Sequence, residues 1–123
     1  MTYTHGHIIP LVGGSVLGTT KALGNRPEWI ASWSSAFATN DAYCLKYFND
    51  VPFLDFTLDQ LPVKYVDIIT SLPPCAGLSL ANQSTGKNEK SKNPRGCMAP
   101  SNLHMHNAAL YSVKYLKPKA IMV

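Results

Sequence analysis

The chain has 123 residues, 46% of them apolar and 15% charged, with a formal net charge of +4. That length suits one domain with one core, and the apolar share excludes a disordered or fibrous chain. No run approaches the roughly 18 apolar residues of a membrane span, and no charged start leads into a secretory hydrophobic region, so a soluble, cytoplasmic protein is expected.

In chain order, His7 to Val12 is a short apolar run closed by Gly13-Gly14, which predicts a buried strand ending in a tight turn. Ser15 stands where a helix cap belongs. Val16, Leu17, Thr20 and Leu23 then recur at helical spacing, Gly24 suits the C-terminal cap, and Pro27 bars continuation. Trp29 to Trp33 predicts a second strand. Asn40 or Asp41 is placed to cap a second helix, with Ala42, Leu45 and Phe48 on one side.

Val51 to Asp55 reads as a third strand with an acid at its carboxyl end, followed by a weak turn or short helix from Leu58 to Leu61. Val66 to Thr70 predicts a fourth strand, which leads into Ser71-Leu72-Pro73-Pro74-Cys75-Ala76-Gly77-Leu78-Ser79 and a polar loop from about Leu80 to Pro100. Leu103, Leu110, Val113 and Leu116 share helical spacing, and Ala120 to Val123 begins a fifth strand. The chain stops inside that apolar run, as a truncated reading frame would. Strands alternating with helices predict an open, mostly parallel α/β sheet of Rossmann-like type with helices on both faces.

Ligands of such sheets bind at the carboxyl ends of the strands, where Gly13-Gly14, Asp55 and Cys75 are all expected. Each also has a structural explanation: a tight turn, a turn cap, a buried filler. For Cys75, Pro73 and Pro74 fix the approach of the chain and Gly77 permits a sharp exit. Lys87, Lys90, Lys92 and Arg95 lie in the loop that follows, where positive charge would favour a thiolate and suit a polyanionic substrate. A solvated lysine-rich loop accounts for the same charges.

Cys44, Cys75 and Cys97 form no C-x-x-C pair, which argues against a disulfide framework and against a cysteine zinc site. His5 with His7 would share a strand face, whereas His104 and His106 would diverge on a helix, so no metal site is expected. Gly13, Gly14 and Gly18 do not make G-x-G-x-x-G, and Ser84 to Asn88 is not a phosphate-binding loop.

The order of these pieces resembles the amino-terminal half of the DNA cytosine-5 methyltransferases. Leu72-Pro-Pro-Cys-Ala-Gly-Leu-Ser79 is similar to the family's catalytic Pro-Cys motif, and Ile9-Pro-Leu-Val-Gly-Gly14 resembles its cofactor glycine turn. Lys117 to Val123 resembles the strand that precedes the family's Glu-Asn-Val motif.

The resemblance implies a methyltransferase-type domain over residues 1–123, with Cys75 as nucleophile, double-stranded DNA as partner and S-adenosyl-L-methionine as cofactor. It implies cofactor contacts from Val12, Gly13, Gly14, Ser35, Asp55, Phe56 and Pro74, and DNA contacts from Ser79 and Arg95. Restriction-linked, orphan and phage-borne enzymes of the family remain equally open.

Departures are specific. Leu11 stands at the first glycine of the glycine turn, Ser15 at the aromatic that follows it, Ser35 at the acid expected to bind the ribose, and Ala76 at the glutamine after the cysteine. The catalytic glutamate, the later arginine motif, the target-recognition region and the closing cofactor motif would lie beyond Val123, so this chain is expected not to turn over without that C-terminal part. A degenerate, non-catalytic nucleic-acid- or partner-binding domain of the same fold is the alternative.

Overall fold

A computed structural model describes residues 2–32, 42–72 and 100–123, with side chains in the last stretch described from His106 onward. Five strands form one open, all-parallel, Rossmann-like sheet: β1 (His5–Ile8), β2 (Trp29–Ser32), β3 (Phe53–Asp55), β4 (Ile68–Ser71) and β5 (Ala120–Met122). Their order is β3-β2-β1-β4-β5, which places β1 at the centre. Around them lie α1 (Gly14–Leu23), a second helix α2 over residues 42–47, and α3 (Pro100–Tyr111), which continues into a π-helical turn, Ser112–Leu116.

Strand alternation and register divide the sheet into two faces. Gly6 pairs with Trp29, Ile8 with Ala31, and Gly6 with Ile69, so these residues share one face. That face packs Ile8, Trp29, Ala31, Val66 and Ile69 with Ala108 and Leu116 from the α3 segment. His7 pairs with Ile30 and with Thr70, on the opposite face, where Ile30 packs with Val16 of α1 and with Cys44, Phe48 and Val51. Helices therefore cover both faces, as the alternation of elements predicts.

Two sets of side-chain contacts join neighbouring strands. Gly6 lies against the Trp29 indole so closely that a Cβ there would sit 2.5 Å from the ring, while Trp29 Nε1 donates to the Lys64 carbonyl at 3.0 Å. At the amino-terminal edge, Asp67 Oδ2 accepts from the Thr4 backbone N–H at 2.8 Å and from its hydroxyl at 3.0 Å, and Oδ1 faces Lys119 Nζ at 3.0 Å. The Thr4 N–H, then the Lys119 ammonium, hold the Asp67 carboxyl well below its ordinary range. Asp67 thereby ties together the segments entering β1, β4 and β5.

Several elements differ from the sequence expectation. β1 spans His5–Ile8, not His7–Val12, because Ile9 and Leu11 turn into the left-handed region at φ 53° and 51° around Pro10 and end the strand. Phe53, Ile68 and Phe56 begin β3, β4 and the 3-10 turn Phe56–Leu58, each displaced by two residues from the run read in the sequence.

In α2 Cys44 is buried while Ala42 is exposed, and Phe48, just past the helix, is buried too. The α3 segment buries Leu116, as its spacing predicts, together with the small Ala108 and Ser112, whereas Leu110 and Val113 are mostly exposed. The Ser112 hydroxyl donates to the Ala108 carbonyl at 2.8 Å, which lets a serine occupy that buried position. Among the described residues no helix is long and apolar enough to cross a membrane.

Candidate functional site

Parallel pairing brings the carboxyl ends of all five strands to one edge, where connecting loops leave room for a ligand. At the centre of that edge β1 gives way to the glycine turn. Gly13 N–H donates to the Pro10 carbonyl at 2.9 Å, and the Gly13 carbonyl accepts the first helical bond, from Leu17 N–H at 2.9 Å. Gly13 adopts φ 96°, and a Cβ on it would lie 3.1 Å from Cys44 Sγ, so both conformation and packing favour glycine here.

Helix α1 starts directly after this turn, with Gly13 as its N-cap. No side chain caps it, and no acidic residue occupies its first turn. Ser15 thus lies inside the helix and does not cap it, contrary to the sequence expectation. The first N–H groups of the helix have no intrahelical acceptor, and the positive end of the helix dipole points to the ligand edge.

Asp55 ends β3 at the same edge, opposite Ser32 in the register. It is buried, and its Oδ1 accepts from Thr57 N–H at 2.8 Å, capping the 3-10 turn. Gln60 Oε1 accepts the Asp55 N–H at 2.9 Å. Phe56 packs in the core with Trp29 and Ala31. A carboxylate held this way is oriented by its own turn before any ligand arrives.

Four buried polar side-chain atoms among the described residues have no hydrogen-bond partner: Ser15 Oγ, Asn25 Oδ1, Ser32 Oγ and Ser71 Oγ. Three of the four belong to this edge, since Ser15 is in the first turn of α1 and Ser32 and Ser71 are the last residues of β2 and β4. Leaving a buried hydroxyl unpaired costs about 1–3 kcal/mol, so three at one edge call for an explanation. Sequence reading singled out neither Ser32 nor Ser71; a hydroxyl residue closing an apolar strand was the available signal.

A groove of about 330 Å³ adjoins the glycine turn, lined by Val12, Gly13, Gly14 and Leu17 on one side and by Tyr43, Cys44, Tyr47 and Phe48 on the other. It brings together three of the predicted cofactor residues, Val12, Gly13 and Gly14. Asp55 and Phe56 lie outside its lining. Ser35, Pro74, Cys75, Ser79 and Arg95 fall outside the described residues, although β4 runs to Ser71, four positions before Cys75. His106 is exposed, and among the described residues no group of three histidines, cysteines or acids is arranged as metal ligands.

No family model, curated protein or solved structure matches this chain.

Proposed function

We propose that this chain is the amino-terminal portion of a DNA cytosine-5 methyltransferase catalytic domain, which binds S-adenosylmethionine and carries the cysteine nucleophile. The observation that carries this reading is the occurrence of unpaired Ser15, Ser32 and Ser71 hydroxyls, together with the uncapped start of α1, at the ligand edge of an all-parallel sheet. Polar groups desolvated there without partners fit a site whose hydrogen bonds are completed by a ligand.

Leu11 lends further support. It aligns with a glycine of the family's turn, and it adopts φ 51°, a conformation that glycine reaches without strain. The groove against Val12, Gly13 and Gly14 suits an adenosyl-sized ligand, and Asp55 offers a carboxylate at the same sheet edge, at the end of β3, with β2 between.

In this reading the Cys75 thiolate adds to carbon-6 of a cytosine turned out of the duplex, which makes carbon-5 nucleophilic. S-adenosylmethionine supplies the methyl group that carbon-5 takes up. Loss of the carbon-5 proton then expels the thiolate. The acid that assists at ring nitrogen-3 in the family has no counterpart in the motifs recognised here, so turnover by these 123 residues alone is not expected.

Calorimetry with S-adenosylmethionine tests the cofactor half of the proposal: saturable binding is expected, and DNA binding without any cofactor binding would favour the non-catalytic alternative. DNA containing 5-fluorocytosine tests the nucleophile in a methylation-competent protein carrying this chain. A covalent adduct at Cys75 is expected, and methylation without such an adduct would reject the cysteine's role.

A further inference from the structure

We propose that the amino-terminal edge of the sheet, opposite the ligand edge described above, is a second binding surface that takes single-stranded nucleic acid. Its tyrosine rings stack on bases and its lysines meet phosphates. No residue of this surface belongs to the glycine turn or to the carboxyl ends of the strands, so it is independent of the cofactor reading.

Tyr3 precedes β1, Lys64 and Tyr65 precede β4, and Lys119 precedes β5, so parallel pairing gathers them at one edge. Lys114 and Tyr115 lie in the turn that leads into β5. Contacts make these residues one surface. Lys119 Nζ lies 5.2 Å from the centre of the Tyr3 ring and 3.0 Å from Asp67 Oδ1, which also accepts from the Tyr65 hydroxyl at 3.1 Å. Just upstream of Tyr65, the Pro62 carbonyl accepts from the Tyr111 hydroxyl at 3.2 Å. The Tyr111 ring lies 4.9 Å from that of Tyr115, over which Lys114 Nζ sits at 5.2 Å.

The charge of this edge has a definite sign. Its acids already hold cations: Asp50 has Arg26, Glu28 has Lys64 and Asp67 has Lys119. Lys114 and Lys117 are exposed, and among the described residues neither has a carboxylate partner. The C-terminus of the α3 segment brings about half a negative charge, which the two lysines exceed. An anionic partner is therefore attracted, whereas a second copy of this basic chain is repelled.

The rings narrow the choice of anion. Tyr3, Tyr65 and Tyr115 are 39%, 48% and 62% exposed, each beside a lysine. Because Asp67 occupies the Tyr65 hydroxyl, that ring offers a partner its face and not its tip. Carboxylates of an acidic peptide and headgroups of an anionic membrane leave such faces unused, and in a duplex each base is covered by its neighbours. Unstacked bases of a single strand use the rings and its phosphates use the lysines.

Fluorescence anisotropy with a labelled single-stranded oligothymidylate of about 15 nucleotides tests this in the full chain. Saturable binding is expected. Tyr115→Ala should weaken it about tenfold, while Tyr115→Phe, which keeps the ring, should bind as the parent does. Lys114→Ala and Lys117→Ala should each reduce the slope of log affinity against log salt by about 0.7, the share of one phosphate on a single strand. All three side chains are exposed, so melting temperatures should stay near that of the parent.

Absence of binding, or binding that these substitutions leave unchanged, overturns the proposal. So does a loss of affinity that only follows a lower melting temperature. The same sensitivity to these substitutions with a duplex of equal length, with polyglutamate or with anionic vesicles also overturns it, because the rings would then select nothing. The assay contains no S-adenosylmethionine, so its outcome is separate from that of the calorimetry above.

Discussion

His5 and His7 hydrogen-bond to each other inside the sheet, with His5 Nδ1 2.7 Å from His7 Nε2 and both rings fully buried. Their tautomers follow from the ends of the chain they form. His5 Nε2 faces the Asn25 carbonyl at 3.0 Å, which only accepts, so that nitrogen carries the proton and His5 Nδ1 is an acceptor. His7 Nε2 therefore donates to His5, and His7 Nδ1 accepts from the Thr70 hydroxyl at 2.5 Å. One directional chain, Thr70 to His7 to His5 to Asn25, crosses from β4 through β1 to the segment before β2.

Burial, then the neighbouring His5, push the His7 pKa down to about 3. The folded value lies below the ordinary 6.5, so the unfolded chain binds the proton more readily. The His7 contribution to stability is then constant above about pH 6.5 and falls as the pH drops from 6.5 toward 3, by up to about 1.4 kcal/mol per pH unit. Urea denaturation between pH 7.5 and 4.5 should show the midpoint falling on the acid side. A flat profile, or a His7 ring resonance that titrates near pH 6.5 in the folded protein, contradicts this.

Thr70→Val keeps the shape of the side chain but removes the donor to His7 Nδ1. The expected loss is about 1–3 kcal/mol, the cost of one unpaired buried acceptor. Thr70→Ser retains the hydroxyl and should recover most of it. Equal stability of the valine variant and the parent in chemical denaturation would show that the hydroxyl is dispensable.

The glycine pair separates under substitution. Gly13→Ala meets both the left-handed φ of 96° and the Cys44 contact, and should destabilise by about 1–2 kcal/mol or more. Gly14→Ala enters open space inside α1 and should be neutral or stabilising by up to about 1 kcal/mol. Adding Cys44→Ala to Gly13→Ala removes the Sγ contact but keeps the Cys44 Cβ 3.2 Å away, so it should relieve only part of the steric cost, and a double-mutant cycle on unfolding free energies measures that share.

Lys117 ends the π-helical turn in the left-handed conformation, φ 49°, with its N–H donating to the Ser112 carbonyl at 3.0 Å. Its side chain is exposed, so Lys117→Gly removes backbone strain without loss of packing. A gain of about 0.5–1 kcal/mol is expected, read as a higher melting temperature. A lower melting temperature would show that the entropy of the glycine outweighs the strain.

Much of the fold was legible in the chain because parallel strands buried on both faces read as apolar runs punctuated by glycine and proline. The strand beginning at Trp29, the Gly24 cap and the acid closing β3 came from local signals, and the structure has all three. Strand starts were less legible, since an apolar run does not say which of its residues pair. Pro10 sat inside the expected first strand, and only the left-handed turns at Ile9 and Leu11 fix where β1 ends. In the α3 segment spacing pointed to Leu110, Val113 and Leu116, and of these only Leu116 is buried, beside Ala108 and Ser112.

The sequence by itself determined the alternation of strands and helices, the glycine turn at Gly13 and the resemblance around Cys75, because each depends on residues adjacent in the chain. Tertiary structure decided what those residues meet. It joined His7 to Thr70 across 63 positions, set Cys44 against Gly13, and left Ser15, Ser32 and Ser71 without partners at one edge. Hydrogen-bond satisfaction is a property of neighbours in space, and strand order, which local sequence does not encode, chooses those neighbours.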